Sequence, residues 1–167
     1  MYNVVKLSLA FWYKESRLWE HNILASHVIL IFVNKIVSSD KVYLSESKIQ
    51  EAGRGVFASV DIKRGETIER CPVIEIPEHD TSNINKSILV TYIYYLGKNK
   101  DRLMIALGSG SIYNHSHQPN AKYKEKHKDK IIDFIAINEI KKDEEITVNY
   151  NQGNQMDKSP LWFIVDP

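Results

Sequence analysis

From Lys41 onward the chain is cut into short β-type stretches separated by polar turns, and that spacing leaves room for little besides a small β domain. Lys41-Val42-Tyr43-Leu44-Ser45 has strand alternation, Gly55 to Val60 is apolar, and Thr67 to Ile76 is rich in β-branched residues. Pro72 lacks the N–H a ladder needs, which marks that third stretch as an edge or irregular strand. One segment departs from the pattern. Thr81-Ser82-Asn83 offers an N-cap, Ile84, Ile88, Tyr92 and Leu96 recur at helical spacing, and Gly97 closes the run, so a helix is predicted there.

An octet occurs twice: Asp61-Ile62-Lys63-Arg64-Gly65-Glu66-Thr67-Ile68 and Glu139-Ile140-Lys141-Lys142-Asp143-Glu144-Glu145-Ile146. Two distant copies do not make a solenoid, and they read as similar hairpin turns in one sheet system. Lys122 to Lys130 carries lysine at every even position before Ile131-Ile132-Asp133-Phe134-Ile135, the mark of a hairpin with a solvated face. A docking strip for an acidic partner is the other reading of that run.

A chain of 167 residues suits one domain with its own core. Residues 1–40 differ from the rest, crowding Phe11-Trp12-Tyr13, Leu18-Trp19 and Ile23 to Val33 without a motif, and are read as an N-terminal extension of unknown role. Packing against the domain or against a second copy, which would make a homodimer, is the plain expectation for it. Its longest apolar stretch is broken by Ser26 and His27 and falls short of the roughly 20 residues of a membrane helix. No membrane span and no signal peptide are expected. A single cysteine, Cys71, excludes a disulfide framework and a Cys-rich zinc cluster. The expected location is therefore cytoplasmic, with a nuclear or host-targeted one left open. A net charge of +1 makes a dedicated nucleic-acid binder unlikely.

Two polar clusters carry the chemistry. Ser111-Ile112-Tyr113-Asn114-His115-Ser116-His117-Gln118-Pro119-Asn120 places amide and imidazole groups on a constrained turn, where they meet a polar ligand or cap their own backbone. Glu144-Glu145-Ile146-Thr147-Val148-Asn149-Tyr150 ends a strand in a phenol. Upstream, Gly53-Arg54-Gly55-Val56-Phe57 lets backbone approach a ligand closely, though a turn needing positive φ reads the same way. It lacks the third glycine and the helix of a dinucleotide fingerprint. His115 and His117 would share one face of a strand, but no third and fourth metal ligand stands at suitable spacing, and no metal is expected.

In this order the three elements resemble the SET-domain protein lysine methyltransferases, in their compact form without zinc-binding Cys clusters, over residues 41–167. The resemblance implies a mainly β fold, the SET β-clip, with several small sheets, a short helical insert and a C-terminal pseudoknot. It implies S-adenosylmethionine as cofactor, held by Gly53, Arg54, Gly55, Val56, Asn114 and His115, and a protein substrate with an exposed lysine. Trp162, in Ser159-Pro160-Leu161-Trp162-Phe163, is similar to the Trp that packs beside adenine in compact members; filling the core is its other reading. Tyr150 matches the catalytic tyrosine. Tyr123 matches a channel-lining tyrosine, with a cross-strand aromatic as the alternative. Many members carry a tyrosine where Cys71 stands, so an altered channel wall is expected, with Cys71 itself a buried apolar group. Besides the enzyme reading, a SET-derived module that binds peptide with little catalysis remains open, as does a salt-sensitive nucleic-acid binder built on the lysine strip.

Overall fold

The computed structural model describes residue 36 and residues 38–96, 102–151, 158–159 and 161. The N-terminal extension lies almost wholly outside the described residues, as do Trp162 and most of the segment expected to form the pseudoknot. Strands β1 (Val42–Glu46), β2 (Arg54–Ala58), β9 (Glu145–Val148) and β6 (Asn114–His115) form one sheet in that order. The other sheet runs β4 (Ile93–Leu96), β5 (Arg102–Ala106), β3 (Thr67–Ile76), β8 (Ile131–Ala136), β7 (Ala121–Lys126). Among the described residues this is a mainly β architecture of small sheets with one short α-helix, as the motifs imply. Among the described residues no helix is long and apolar enough to cross a membrane.

Strand β3 has the predicted bounds and is the irregular strand that Pro72 suggests, though at the centre of its sheet and not at an edge. Thr67 to Pro72 pairs with β8, and Val73 to Ile76 pairs with β5, so Pro72 sits where the strand changes partners. A missing N–H costs little at such a handover. The Pro72 carbonyl still accepts from Leu107 N at 2.8 Å.

The predicted helix is shorter than its spacing suggests. Helix α1 covers only Thr81–Asn85, Ile88–Tyr92 is a 3-10 turn, and Ile93–Leu96 is strand β4. A spacing of four residues is one helical turn but also two strand repeats, so Tyr92 and Leu96 satisfied both patterns. The capping oxygen also lies later than Thr81-Ser82-Asn83: Ser87 Oγ accepts from Leu89 N and donates to the Ile84 carbonyl, which ends α1. Ser87 is in extended backbone, and β-branched Ile88, Val90, Thr91 and Ile93 follow.

The twin octets are not hairpins. The first carries the chain from β2 in one sheet to β3 in the other, and the second returns it from β8 to β9. They lie side by side, with Ile62 and Ile140 exchanging N–H···O bonds of 2.8 and 2.9 Å. Both isoleucines are fully buried, each worth about 1.5–3 kcal/mol of apolar burial. Each octet is stapled by the same device: Lys63 N donates to Glu66 Oε2 at 2.7 Å, and Lys141 N to Glu144 Oε2 at 2.9 Å. The residue between takes a left-handed backbone in both, Gly65 at φ 87° and Asp143 at φ 64°.

The lysine-rich segment forms the expected β7–β8 hairpin. Lys122, Lys124, Lys128 and Lys130 are exposed, whereas Lys126 and Arg70 both pair with the buried carboxylate of Asp133. Phe134, Ile132, Ile68, Met104, Tyr94, Val56, Ile146 and Val148 join the two sheets in one core.

The staples give a paired prediction. Glu66→Ala should cost about 1 kcal/mol, one hydrogen bond to a turn N–H. Glu144→Ala should cost about twice that, because Glu144 also accepts from Asn120 Nδ2 at 3.0 Å. Urea denaturation of the two variants measures the difference.

Candidate active site

The site begins in the loop between β1 and β2. Ser47 N donates to the Gly53 carbonyl at 2.8 Å and closes that loop on itself, with Glu51 and Gly53 at positive φ. The closed loop is held down by one carboxylate. Glu145, on β9 and 8% exposed, accepts from Ser47 Oγ at 2.7 Å and from Lys48 N at 2.8 Å. Gly55 is required at the base: a Cβ there would lie 2.3 Å from Glu145 Oε1 and 3.1 Å from Asn114 Nδ2.

Strand β6 is only Asn114 and His115, and it pairs in parallel with Thr147 and Val148 of β9. Its register is fixed by side chains from both polar clusters. Asn114 Nδ2 reaches Glu145 Oε1 at 2.9 Å, Arg54 O at 3.1 Å and Ser47 Oγ at 3.1 Å. Asn120 Oδ1 accepts from Thr147 N at 2.9 Å, and its Nδ2 donates to the Glu145 carbonyl at 2.9 Å. The Asn-His-Ser turn and the Glu-Glu-Ile-Thr strand are therefore two halves of one contact.

Between the loop and β6 lies a cleft of about 600 Å³, lined by residues 49–54, Thr91, Tyr92, Ser111, Ile112, Asn114, His115 and Tyr150. His115 Nδ1 accepts from Tyr150 N at 3.1 Å, which leaves the proton on Nε2. That Nε2 is buried with no hydrogen-bond partner among the described residues. Burial, with the His117 ring 4.5 Å away, lowers the His115 pKa to about 4. The Tyr150 hydroxyl donates to the Tyr113 carbonyl at 2.7 Å. Burial, and then nearby Tyr92, push its pKa up to about 12, so the phenol is neutral at physiological pH.

Gly53, Arg54, Asn114, His115 and Tyr150 thus converge on one cleft, while Gly55 backs it. The Val56 side chain is fully buried and belongs to the core, where β2 pairs with β9. Tyr123 is placed across from Phe134 on β8 and packs edge-on against Tyr94, ring centres 5.1 Å apart. Cys71 is fully buried beneath Gly110, away from the cleft lining, and burial beside Glu69 raises its thiol pKa far above the ordinary value. Trp162 lies outside the described residues.

Sequence reading missed Ser47, Tyr113 and the specific work of Glu145. Glu145 could have been suspected, since a carboxylate inside an apolar strand must find donors when buried. Ser47 and Tyr113 carry no such signal. Because His115 is held neutral, the sign of its pH dependence follows: the unfolded chain binds the proton near 6.5 and the folded chain only near 4. Stability should be full above pH 6.5 and fall as pH drops from 6.5 through 4, and His115→Gln should flatten that slope. Thermal melts across pH 4–7 measure it.

Residues 53–151 match the SET domain family model. Over 115 residues the chain is 31% identical to the H3 lysine-37-specific histone-lysine N-methyltransferase of Schizosaccharomyces pombe, covering 68% of this chain and 72% of that protein. Among solved structures it is similar to a Plasmodium falciparum protein assigned as a histone methyltransferase. That chain is 33% identical, with a TM-score of 0.51 over 66% of this chain and 97% of the other. It is also similar to the Chaetomium thermophilum polycomb repressive complex 2 bound to S-adenosylmethionine. There the identity is 22% and the TM-score 0.58 over 70% of this chain and 16% of the other, a likeness of fold alone.

Proposed function

The chain belongs to the SET-domain family, and on that premise we propose that its cleft transfers a methyl group from S-adenosylmethionine to the ε-amine of a protein lysine. The observation that carries the site assignment is the convergence of Asn114, His115 and Tyr150 with the glycine loop on one cleft. The residues fit the cofactor: Gly53, Arg54 and Gly55 offer backbone with no bulk at the base, and Asn114 and His115 offer neutral polar groups. Val56 could take part through its backbone only. Trp162 remains an assignment by resemblance.

When bound, S-adenosylmethionine supplies a methyl group activated by its sulfonium charge. The protein must present an uncharged amine, since a lysine ammonium, with a pKa of about 10.4, has no lone pair to attack with. Desolvation of the amine as it enters a buried channel lowers that pKa. Tyr150 is a poor base for the remaining proton and a poor acid for any other purpose, because burial keeps it neutral. Its proton is committed to the Tyr113 carbonyl, so its oxygen lone pairs are what it can turn to the reacting centre. There they stabilise positive charge on the transferring methyl and orient the amine, an effect of alignment and electrostatics. We assign Tyr123 to the wall of the lysine path. Its ring packs edge-on against that of Tyr94, whose pKa is raised by burial first and then by the nearness of Tyr150 and Tyr123.

Histones are the first acceptors to test, since the fission-yeast relative is a histone-lysine methyltransferase. A nuclear site of action goes with that choice. The binding-module reading draws on Cys71 as an altered channel wall; Cys71 is fully buried and is not among the residues lining the cleft.

Tyr150→Phe should keep cofactor affinity while kcat falls on the order of a hundredfold, because the hydroxyl acts at the reacting centre. Asn114→Ala should weaken cofactor binding roughly tenfold, the cost of one buried polar contact. Calorimetry with S-adenosylmethionine and mass spectrometry of histones incubated with labelled cofactor separate the two effects. Cofactor bound tightly with no label on any acceptor would return the chain to the binding-module reading.

A further inference from the structure

A further buried carboxylate lies outside the cleft and has no part in the chemistry described above. Glu69, on β3, is 6% exposed. Its Oε1 accepts from Ser109 N at 3.0 Å and its Oε2 accepts from the Tyr113 hydroxyl at 3.1 Å. Gly108 approaches so closely that a Cβ there would stand 2.6 Å from Glu69 Oε1.

The partners are placed with a pattern. Ser109 is the N-cap and Tyr113 the C-cap of the 3-10 turn Gly110–Ile112, so one carboxylate holds both ends of the segment that leads into Asn114 and His115. Ser109 makes no side-chain capping bond of its own. The Tyr113 ring, 1% exposed, is clamped between its bond to Glu69 and a stacked contact with Phe134, centres 4.1 Å apart. The same residue's carbonyl receives the Tyr150 hydroxyl. The middle of the turn is held by other bonds, from the Tyr94 hydroxyl to the Gly110 carbonyl and from Ser111 Oγ to the Tyr92 and Ala106 carbonyls, and the Glu69 bonds add a fixed point at each end.

We propose that Glu69 is a positioning residue for Tyr150, acting through Tyr113: by tying Ser109 N and the Tyr113 hydroxyl, it aims the Tyr113 carbonyl at the Tyr150 hydroxyl and so sets where the phenol oxygen stands. Its consequence for turnover rests on the methyltransferase reading, but the hydrogen-bond relay does not.

The test follows hydroxyl protons directly. In the full chain labelled at tyrosine Cζ, the Tyr150 signal, identified by its loss in Tyr150→Phe, should show slow hydroxyl exchange by NMR. Glu69→Gln and Tyr113→Phe should each speed that exchange roughly tenfold or more, and the double variant should be no faster than the faster single, as for residues acting in one relay. The hydroxyl of Tyr43, which bonds Asp143 on the exposed surface, should keep its rate and serves as the control. Unchanged Tyr150 exchange in a folded variant, acceleration of Tyr43 in parallel, or multiplied effects in the double variant would each overturn the relay. If Glu69→Gln does not fold, Tyr113→Phe, which keeps the ring and its stacking, decides the exchange measurement. In methyl transfer to lysate proteins with radiolabelled cofactor, Glu69→Gln should lower kcat by roughly tenfold with cofactor affinity within threefold of wild type. In a Tyr150→Phe background it should lower kcat no further. A loss that persists in that background overturns the proposal, while a wild-type chain that transfers no label counts against the methyltransferase reading and leaves the exchange result standing.

Discussion

Whether this molecule has a site at all depends on a parallel pairing only two residues long. Asn114 and His115 lie beside Thr147 and Val148, and a ladder that short cannot set its own register. Slipping it by one residue would exchange the faces of Asn114 and His115. Side chains supply what the backbone lacks: Asn120 bonds both the N–H of Thr147 and the carbonyl of Glu145, and Ser116 N donates to the Val148 carbonyl at 3.0 Å. Glu145 then reaches across to Asn114 and to the Ser47–Lys48 end of the β1–β2 loop. Strand, turn and loop are tied by buried polar contacts, which are costly when half made and so strongly favour one arrangement.

The sheets meet this arrangement through the paired octets. Because β2 and β9 share one sheet while β3 and β8 share the other, the chain must cross between sheets twice, and it does so side by side, joined at Ile62 and Ile140. The second crossing delivers β9 with Glu144 and Glu145 in place. A turn capped by its own Glu144 thus feeds directly into the strand that organises the site.

Much of this could be read from residue order, and the exceptions have a common cause. The β3 bounds, the β7–β8 hairpin and the clustering of Asn114, His115 and Tyr150 follow from local pattern and from motif composition. What local pattern could not resolve was anything that depends on partners distant in sequence. Ile84, Ile88, Tyr92 and Leu96 fit both a helix and a strand, and pairing with β5 settles the end of that run as strand. Pro72 looks like an edge signal until β3 is seen to change partners there. The octets look like hairpins because a tight polar turn has the same sequence whether it joins strands of one sheet or of two. Ser47 and Tyr113 are ordinary residues whose roles exist only once Glu145 and Glu69 are buried beside them.

The electrostatics of the cleft follow from that burial. A sulfonium ligand is a cation, and a protonated histidine on the wall would repel it at close range in a medium of low dielectric. Desolvation answers this without a counter-charge: the same burial that lowers the His115 pKa to about 4 raises that of Tyr150 to about 12, so both groups are uncharged across the physiological range. The buried carboxylates at 69 and 145 accept from backbone and hydroxyl donors, which solvate them within the protein. His115 and Tyr150 thus meet a cation as oriented dipoles, while Glu51 and Arg54 put one charge of each sign on the loop side of the cleft. Neither His115 nor Tyr150 is an acid that would return an incoming amine to the ammonium form, which makes their neutrality a condition for transfer to nitrogen as well as for binding the donor.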